Sequence, residues 1–233
     1  MNRVSPDLAK SRKPRLLDLF CGAGGASRGY ADAGFDVVGV DIRPQPRYPF
    51  EFHQADALEY PLDGFDFIWA SPPCQRFSDL AKRNGNADSW PDLIDPIRQR
   101  LIKSGASAWV IENVEGAPLR NAITLCGTMF PGLRVLRHRL FEANFTLEQP
   151  AHGKHPLVFT MDKRKAHYGN LDQNKAFVQV TGGGNCSVMN AADAMGIDWM
   201  TKNELNEAIP PAYSLFIGRE AITFIQDSRR VAA

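Results

Sequence analysis

The sequence predicts an α/β fold built on a doubly wound, mostly parallel sheet, and three observations carry that prediction. Short apolar runs recur at Arg15–Phe20, Val37–Asp41, Phe65–Ala70 and Ala108–Ile111, each the length of a buried strand. The first run stops abruptly at the glycine turn Cys21-Gly22-Ala23-Gly24-Gly25, and a helical stretch precedes the second run. Strand, glycine turn, helix and strand form the opening unit of a doubly wound sheet. Finally, 233 residues with 44% hydrophobic content suit one such domain with a small appendage.

The elements follow in order. A helix is predicted from about Ala26 to Ala33, where Gly34 stops it. Val37–Asp41 is the second strand, and Asp56 falls just beyond a third. Residues 65–70 make the fourth strand. A polar loop containing Gly85 leads to a helix from Asp92 to Lys103, on the spacing of Leu93, Ile97 and Leu101. Ala108–Ile111 is a fifth strand ending directly at Glu112-Asn113, and Ala122–Cys126 a sixth. Residues 212–226 read as a closing apolar helix. No repeat or low-complexity segment interrupts the chain. Between about 146 and 204 the composition shifts toward His152, Lys154, His155, Lys163, Arg164, Lys165, His167 and Lys175, with Gly182-Gly183-Gly184-Asn185 as a turn. Residues 151–175 hold five Lys/Arg against two Asp, a local +3 in a chain of net charge +1. On charge alone this is equally a solvated loop region or a basic contact surface.

The bulk numbers exclude several classes. A net charge of +1 provides no global field for nucleic acid, so any such attraction is local. The four cysteines, Cys21, Cys74, Cys126 and Cys186, show no CxxC or zinc spacing, so neither disulfides nor a metal are expected. Residues 1–14 read as a flexible leader, and no run approaches a membrane span. These features predict a soluble cytoplasmic protein with no membrane partner, and the modest size predicts a monomer.

The chemistry concentrates at Ser71-Pro72-Pro73-Cys74-Gln75. Two prolines restrict the backbone before Cys74 and so fix where its sulfur points. The strand before them delivers the thiol to the sheet edge where ligands bind in such folds. A thiol there, with the carboxylate and amide of Glu112-Asn113 from another strand end, is the equipment of a covalent nucleophile. The first glycine turn, Phe20-Cys21-Gly22-Ala23-Gly24-Gly25, follows neither the dinucleotide pattern nor a Walker loop. Its small residues admit a ligand close to the backbone, and the helix start behind it favours a carboxylate. Asp41 would accept from ribose hydroxyls and Asp56 would meet an exocyclic amine, a set that fits S-adenosylmethionine. Taken singly, Glu112-Asn113 also reads as a polar strand end, and Arg137 and Arg139 as alternation on an edge strand.

Four blocks stand in order: Asp18-Leu19-Phe20-Cys21-Gly22-Ala23-Gly24-Gly25, Ser71-Pro72-Pro73-Cys74-Gln75, Glu112-Asn113-Val114 and Arg137-His138-Arg139. Together they resemble the cytosine-C5 DNA methyltransferases over about residues 15–145, and again from Ile209-Pro210-Pro211 to Gly218. The resemblance implies a Rossmann-like S-adenosylmethionine-dependent methyltransferase sheet with a small appended recognition region. It implies a catalytic domain of 15–145 plus 205–233, a target-recognition region of 146–204, and double-stranded DNA as substrate. Cys74 would add to C6 of cytosine, Glu112 would hold N3 and the 4-amino group, and Asn113 would fix the loop presenting Cys74. Arg139, supported by Arg137, would contact the base O2. Phe20, Cys21, Gly22, Ala23, Gly24, Gly25, Asp41, Ile42, Asp56, Ala57 and Pro72 would line the cofactor. The loop Asp79–Trp90, with Lys82 and Arg83, occupies the place of the family's mobile catalytic loop and would close over a flipped base.

The chain also departs from the family pattern. Val135 stands where the family has Gln, Asn206-Glu207 where it has Gly-Asn, and the recognition region is short. Ala208–Tyr213 is similar to compact phage and actinobacterial members, so the expected setting is a bacterial cell or a phage-infected host, as in restriction-modification. RNA or a free cytosine nucleotide as substrate, and a catalytically silent binding protein, remain the alternatives.

Overall fold

The strands line up as the apolar runs demand. The computed structural model describes residues 12–159, 161, 171–172, 175–181 and 186–231. Lys163, Arg164, Lys165, His167, Gly182–Asn185 and the leader through residue 11 lie outside the described residues. Seven strands, β1 (Arg15–Leu19), β2 (Asp36–Asp41), β3 (Glu51–Gln54), β4 (Phe67–Ala70), β5 (Ala108–Asn113), β6 (Ile123–Leu125) and β7 (Arg139–Ala143), form one sheet. Its order is β3-β2-β1-β4-β5-β7-β6. The first five are parallel, and β7 runs antiparallel to both β5 and β6. Strand order reverses between β1 and β4, so the crevice beyond their carboxyl ends is the place where such sheets bind ligands.

Alternation along each buried strand sorts side chains onto two faces. Leu16, Val37, Phe67, Trp69 and Val110 face one core with Tyr30, Tyr213 and Ile217. Leu17, Val38, Ile68 and Ile111 face the other, with Ile97 and Leu101. The first core is covered by α1 (Gly25–Ala33). The intervening chain carries α2 (Asp79–Arg83) and α3 (Ile94–Lys103), the latter covering the second face. Beyond the sheet come a short parallel pair, β8 (Val158–Phe159) with β9 (Phe177–Val178), then α4 (Val188–Met195), α5 (Lys202–Glu207) and α6 (Pro211–Val231), which packs on the first face. A Cβ on Gly29 would lie 2.0 Å from the Pro211 carbonyl oxygen, so only glycine lets α1 meet the start of α6. Among the described residues no helix is long and apolar enough to cross a membrane.

Several elements differ from the sequence expectation. β5 continues through Glu112 and Asn113, because both pair with β7, Glu112 opposite Phe141 and Asn113 opposite Leu140. β7, which the sequence offered only as alternation on an edge strand at Arg137 and Arg139, begins at Arg139 and lies inside the sheet between β5 and β6. Its Glu142 is buried and accepts from Arg98 Nε and Nη2 at 2.7 and 2.8 Å, clamping α3 to β7. The polar loop after Cys74 contains the one-turn helix α2, and α6 runs five residues past Gln226 to Val231. Val178, Val180, Ala191, Ala194 and Met195 join the first core, so much of the 146–204 stretch shares the sheet's interior.

Candidate active site

Backbone geometry at the end of β1 sets the first half of the site. Phe20 and Gly22 take left-handed φ values of 61° and 50°, turning the chain sharply before α1. A Cβ on Gly22 would meet nothing within 4 Å, so the turn faces open space and a ligand can approach its backbone. The Gly22 N–H donates to Asp41 Oδ2 at 3.0 Å, and Cys21 N–H to the Val40 carbonyl at 3.1 Å, tying the turn to the end of β2. Asp41 Oδ1 accepts from Arg43 N–H at 2.9 Å, and Asp56 Oδ1 from Leu58 N–H at 2.8 Å. Between them Ile42 is 66% exposed, a large apolar side chain left on the crevice rim, while Ala57 and Pro72 are buried. Ala23 is held by a hydrogen bond from Trp199 Nε1 at 2.8 Å. Cys21 is buried, and burial pushes its thiol well above the usual range.

Asp18, inside β1, was assigned no role of its own by sequence reasoning. It is fully buried and accepts a hydrogen bond from Ser27 Oγ, while its Oδ1 has no partner among the described residues. Burial foremost, then the charges of Asp41 and Glu112, push its pKa up to about 7 against the Ser27 hydrogen bond. A buried acceptor with no donor, beside an open glycine turn and an exposed apolar residue, fits a ligand that brings hydrogen-bond donors and an apolar face. S-adenosylmethionine has both, in its amino group and its adenine. In the sequence Asp18 stood out only as a charge within an apolar run and as the first residue of the first of the four blocks.

The second half of the site comes from β4, β5 and the approach to β7. Cys74 stands at the head of a 3-10 turn (Gln75–Phe77) that follows β4 and is half-buried. Asn113 Nδ2 donates to the Pro72 carbonyl at 2.9 Å, fastening the Pro-Pro-Cys segment to β5. Glu112 is buried, and Arg139 Nε lies 3.1 Å from its Oε1. Arg139 also donates to the His138 carbonyl at 2.7 Å. Arg137 is buried and donates to the Val180 and Asn206 carbonyls at 2.8 and 2.7 Å. Tyr213 Oη donates to the Arg137 carbonyl at 2.7 Å, so the arginine block is braced by α6.

Electrostatics bind these groups into one unit. Burial raises the Glu112 pKa against the opposing pull of Arg139 and Arg137. Burial raises the Cys74 thiol as well, helped by the Glu112 charge, and the two arginines do not overcome it. Both groups therefore give up their protons less readily than they would in water. Lys82 and Arg83 on α2 are exposed. Arg76 bonds the Trp90 carbonyl at 2.9 Å and closes this loop on itself.

The profile of the family described as C-5 cytosine-specific DNA methylase matches residues 14–122. The chain is similar to the type II methyltransferase M.HgiGI of Herpetosiphon aurantiacus, 32% identical over 123 residues, which cover 45% of this chain and 94% of that protein. It is similar to M.Sau96I of Staphylococcus aureus, 30% identical over 125 residues, 47% of this chain and 29% of that protein. It spans 38% of M.HgiDI, so it covers well under half of these two longer relatives. Among solved structures, a prophage-encoded protein from E. coli described as a DNA modification methyltransferase superposes with a TM-score of 0.60 at 16% identity, over 91% of this chain and 99% of that one. The Spodoptera frugiperda DNMT2 structure gives 0.54 at 14% identity, over 91% and 99%. At these identities the likeness is one of fold, the Rossmann-like sheet of S-adenosylmethionine-dependent methyltransferases.

Proposed function

The chain belongs to the C-5 cytosine-specific DNA methylase family, and from that premise we propose that it methylates C5 of cytosine in double-stranded DNA through a covalent bond from Cys74 to C6. The family's cofactor is S-adenosylmethionine. Phe20 to Gly25, Asp41, Ile42, Asp56, Ala57 and Pro72 would hold it, with Asp18 as a further acceptor. When bound, it supplies an electrophilic sulfonium methyl to C5.

The observation that carries the reading is the Glu112–Arg139 ion pair set beside the half-buried Cys74. Each residue then has a defined task. Cys74, once deprotonated, forms the bond from Sγ to C6, and the electron pair of C5=C6 moves onto C5 and toward N3. Glu112, whose proton affinity burial raises, would deliver a proton to N3 and neutralise that charge. Arg139 holds Glu112 in position and offers its remaining N–H groups to the base O2. Asn113 keeps the Pro-Pro-Cys backbone still while Sγ attacks. After C5 has been methylated its proton leaves to water, the electron pair re-forms C5=C6 as Cys74 departs as thiolate, and N3 returns its proton to Glu112. Because a stacked base is out of reach of the thiol, the target must flip out, with Lys82 and Arg83 placed to meet the phosphates. Residues 15–145 with 205–233 would form the catalytic unit, and 146–204 the target-recognition region.

The relatives M.HgiGI and M.Sau96I are named type II methyltransferases, which supports DNA over RNA. Incubation with methyl-labelled S-adenosylmethionine and, in parallel, unmethylated duplex DNA, total tRNA or dCMP tests the choice. Label in DNA as 5-methylcytosine, absent with Cys74→Ala, is the expected result. Label in RNA or nucleotide would keep the chemistry and overturn the substrate. Cofactor binding without transfer to any of the three would overturn the activity.

A further inference from the structure

We propose that Cys126, His138, His152 and His155 form a zinc site that staples the segment following β7 to the catalytic sheet. Their ligand atoms all lie within 4.8 Å of one another, although the four residues come from three separate stretches of chain. His138 Nε2 is 3.2 Å from His152 Nε2, which is 3.1 Å from His155 Nε2, and Cys126 Sγ is 3.7 Å from His155 Nε2. With Zn–N of about 2.0–2.1 Å and Zn–S of about 2.3 Å, a tetrahedral centre sets its ligand atoms about 3.3–3.7 Å apart. The Cys126–His155 contact falls at that spacing, and the two imidazole contacts lie about 0.1–0.2 Å inside it.

Hydrogen bonding alone uses this geometry poorly. His152 Nε2 touches both other rings, yet a ring nitrogen offers one proton or one lone pair and so satisfies one contact of the two. A cation at the centre accepts a lone pair from all three rings and a charge from the thiolate. The surroundings are those of a ligand set. The Glu115 carboxylate lies 3.6 Å from His138 Nδ1, on the far side of the ring, where it would orient the imidazole with Nε2 inward. Thr128 Oγ1 donates to Cys126 Sγ at 3.4 Å. One soft thiolate and three imidazoles, with no carboxylate among them, select zinc over magnesium or calcium. Four protein ligands leave no open position, so the site is structural rather than catalytic.

Position gives the site its consequence. Cys126 directly follows β6, and His138 lies between Arg137 and Arg139 at the entry to β7. His152 and His155 sit in the exposed stretch after β7, which has no other regular structure before β8. A bound zinc would thus fix the start of the 146–204 stretch against the backbone that presents Arg139 to Glu112. In sequence the ligands are spread as Cys-x11-His-x13-His-x2-His, a spacing that no simple zinc pattern captures.

The test uses the full chain purified without a histidine tag. Metal content is read by mass spectrometry after gel filtration, and the chelator-stripped protein is titrated with Co²⁺. Stoichiometric zinc and an intense tetrahedral cobalt spectrum with a thiolate charge-transfer band are expected. Cys126→Ser should lose the charge-transfer band. His152→Ala and His155→Ala, both at exposed positions that leave the core intact, should lose at least nine-tenths of the zinc. Chelation should lower the thermal midpoint of the wild type and leave that of His152→Ala unchanged. A metal-free chain that gives no tetrahedral cobalt spectrum would overturn the site, as would zinc that persists undiminished in the histidine variants. None of these readings depends on methyl transfer, so the site and the proposed activity fail separately.

Discussion

Arg139 Nε stands 3.1 Å from Glu112 Oε1 across the β5–β7 pair, a diagonal contact, since Glu112 itself faces Phe141. This contact joins a carboxyl whose proton affinity burial raises to the cation that keeps it in place, beside a thiol that both influence. Glu112→Gln removes a negative charge that raises Cys74. It should therefore speed alkylation of Cys74 by iodoacetamide at a fixed pH, as read by peptide mass spectrometry, while kcat falls by about 10²-fold or more through loss of the proton donor at N3. Slower alkylation, or unchanged kcat, would contradict the pairing.

Asp18 predicts a pH dependence of stability. Its folded pKa of about 7 lies above the model-compound value of 3.8, so the native state holds its proton while the unfolded chain releases it. The contribution is fully present below the unfolded pKa and is lost as pH rises from about 4 to 7, on the order of 4 kcal/mol for a shift of this size. Asp18→Asn should flatten that slope in denaturant titrations across the window and make the ligand-free protein more stable at pH 8 than the wild type. Parallel curves for the two proteins would remove Asp18 from the account.

Ile42 offers a cleaner probe of the cofactor crevice, because little of it is buried in the folded chain. Ile42→Ser should shift stability by no more than about 0.5 kcal/mol. Loss of the apolar surface it offers a ligand should weaken S-adenosylmethionine binding by about tenfold, measured by calorimetry. Equal affinity in the variant would move the adenine elsewhere.

The α1–α6 contact predicts a stability effect with no chemistry in it. Gly29→Ala forces a methyl into the Pro211 carbonyl and should destabilise the chain by about 1–3 kcal/mol in denaturant unfolding.

The sequence and the structure agree where burial is simple. Leu16-Leu17, Val37-Val38, Phe67-Ile68 and Val110-Ile111 read as strands because both faces of a parallel sheet are apolar, and that fixed β1, β2, β4 and β5. The glycine turn was legible because an abrupt end to an apolar run before a helix has few other meanings. β7 was legible only as an edge-strand alternation at Arg137 and Arg139, and its place inside the sheet was not, since Arg139 and Glu142 look solvated in sequence. Their burial depends on Glu112 and Arg98, partners 27 and 44 positions away. The same distance in sequence hid Trp199, which bonds the Ala23 carbonyl, and scattered the cysteine and histidines around Cys126. Asp18 was visible only as a charge in a strand and as the first residue of a block, because its unpartnered oxygen exists only once α1 and β2 have packed around it.

The central claim is a covalent bond from Cys74 to the target cytosine, and a duplex carrying 5-fluorocytosine tests it directly. With fluorine at C5 there is no proton to leave, so the enzyme cannot eliminate and the adduct accumulates. The account predicts, in the presence of S-adenosylmethionine, a denaturation-resistant species with the mass of protein, DNA and one methyl group, its crosslink on the Cys74 peptide and absent from Cys74→Ala. Methyl transfer to ordinary DNA with no such adduct, or an adduct that persists in Cys74→Ala, would contradict it.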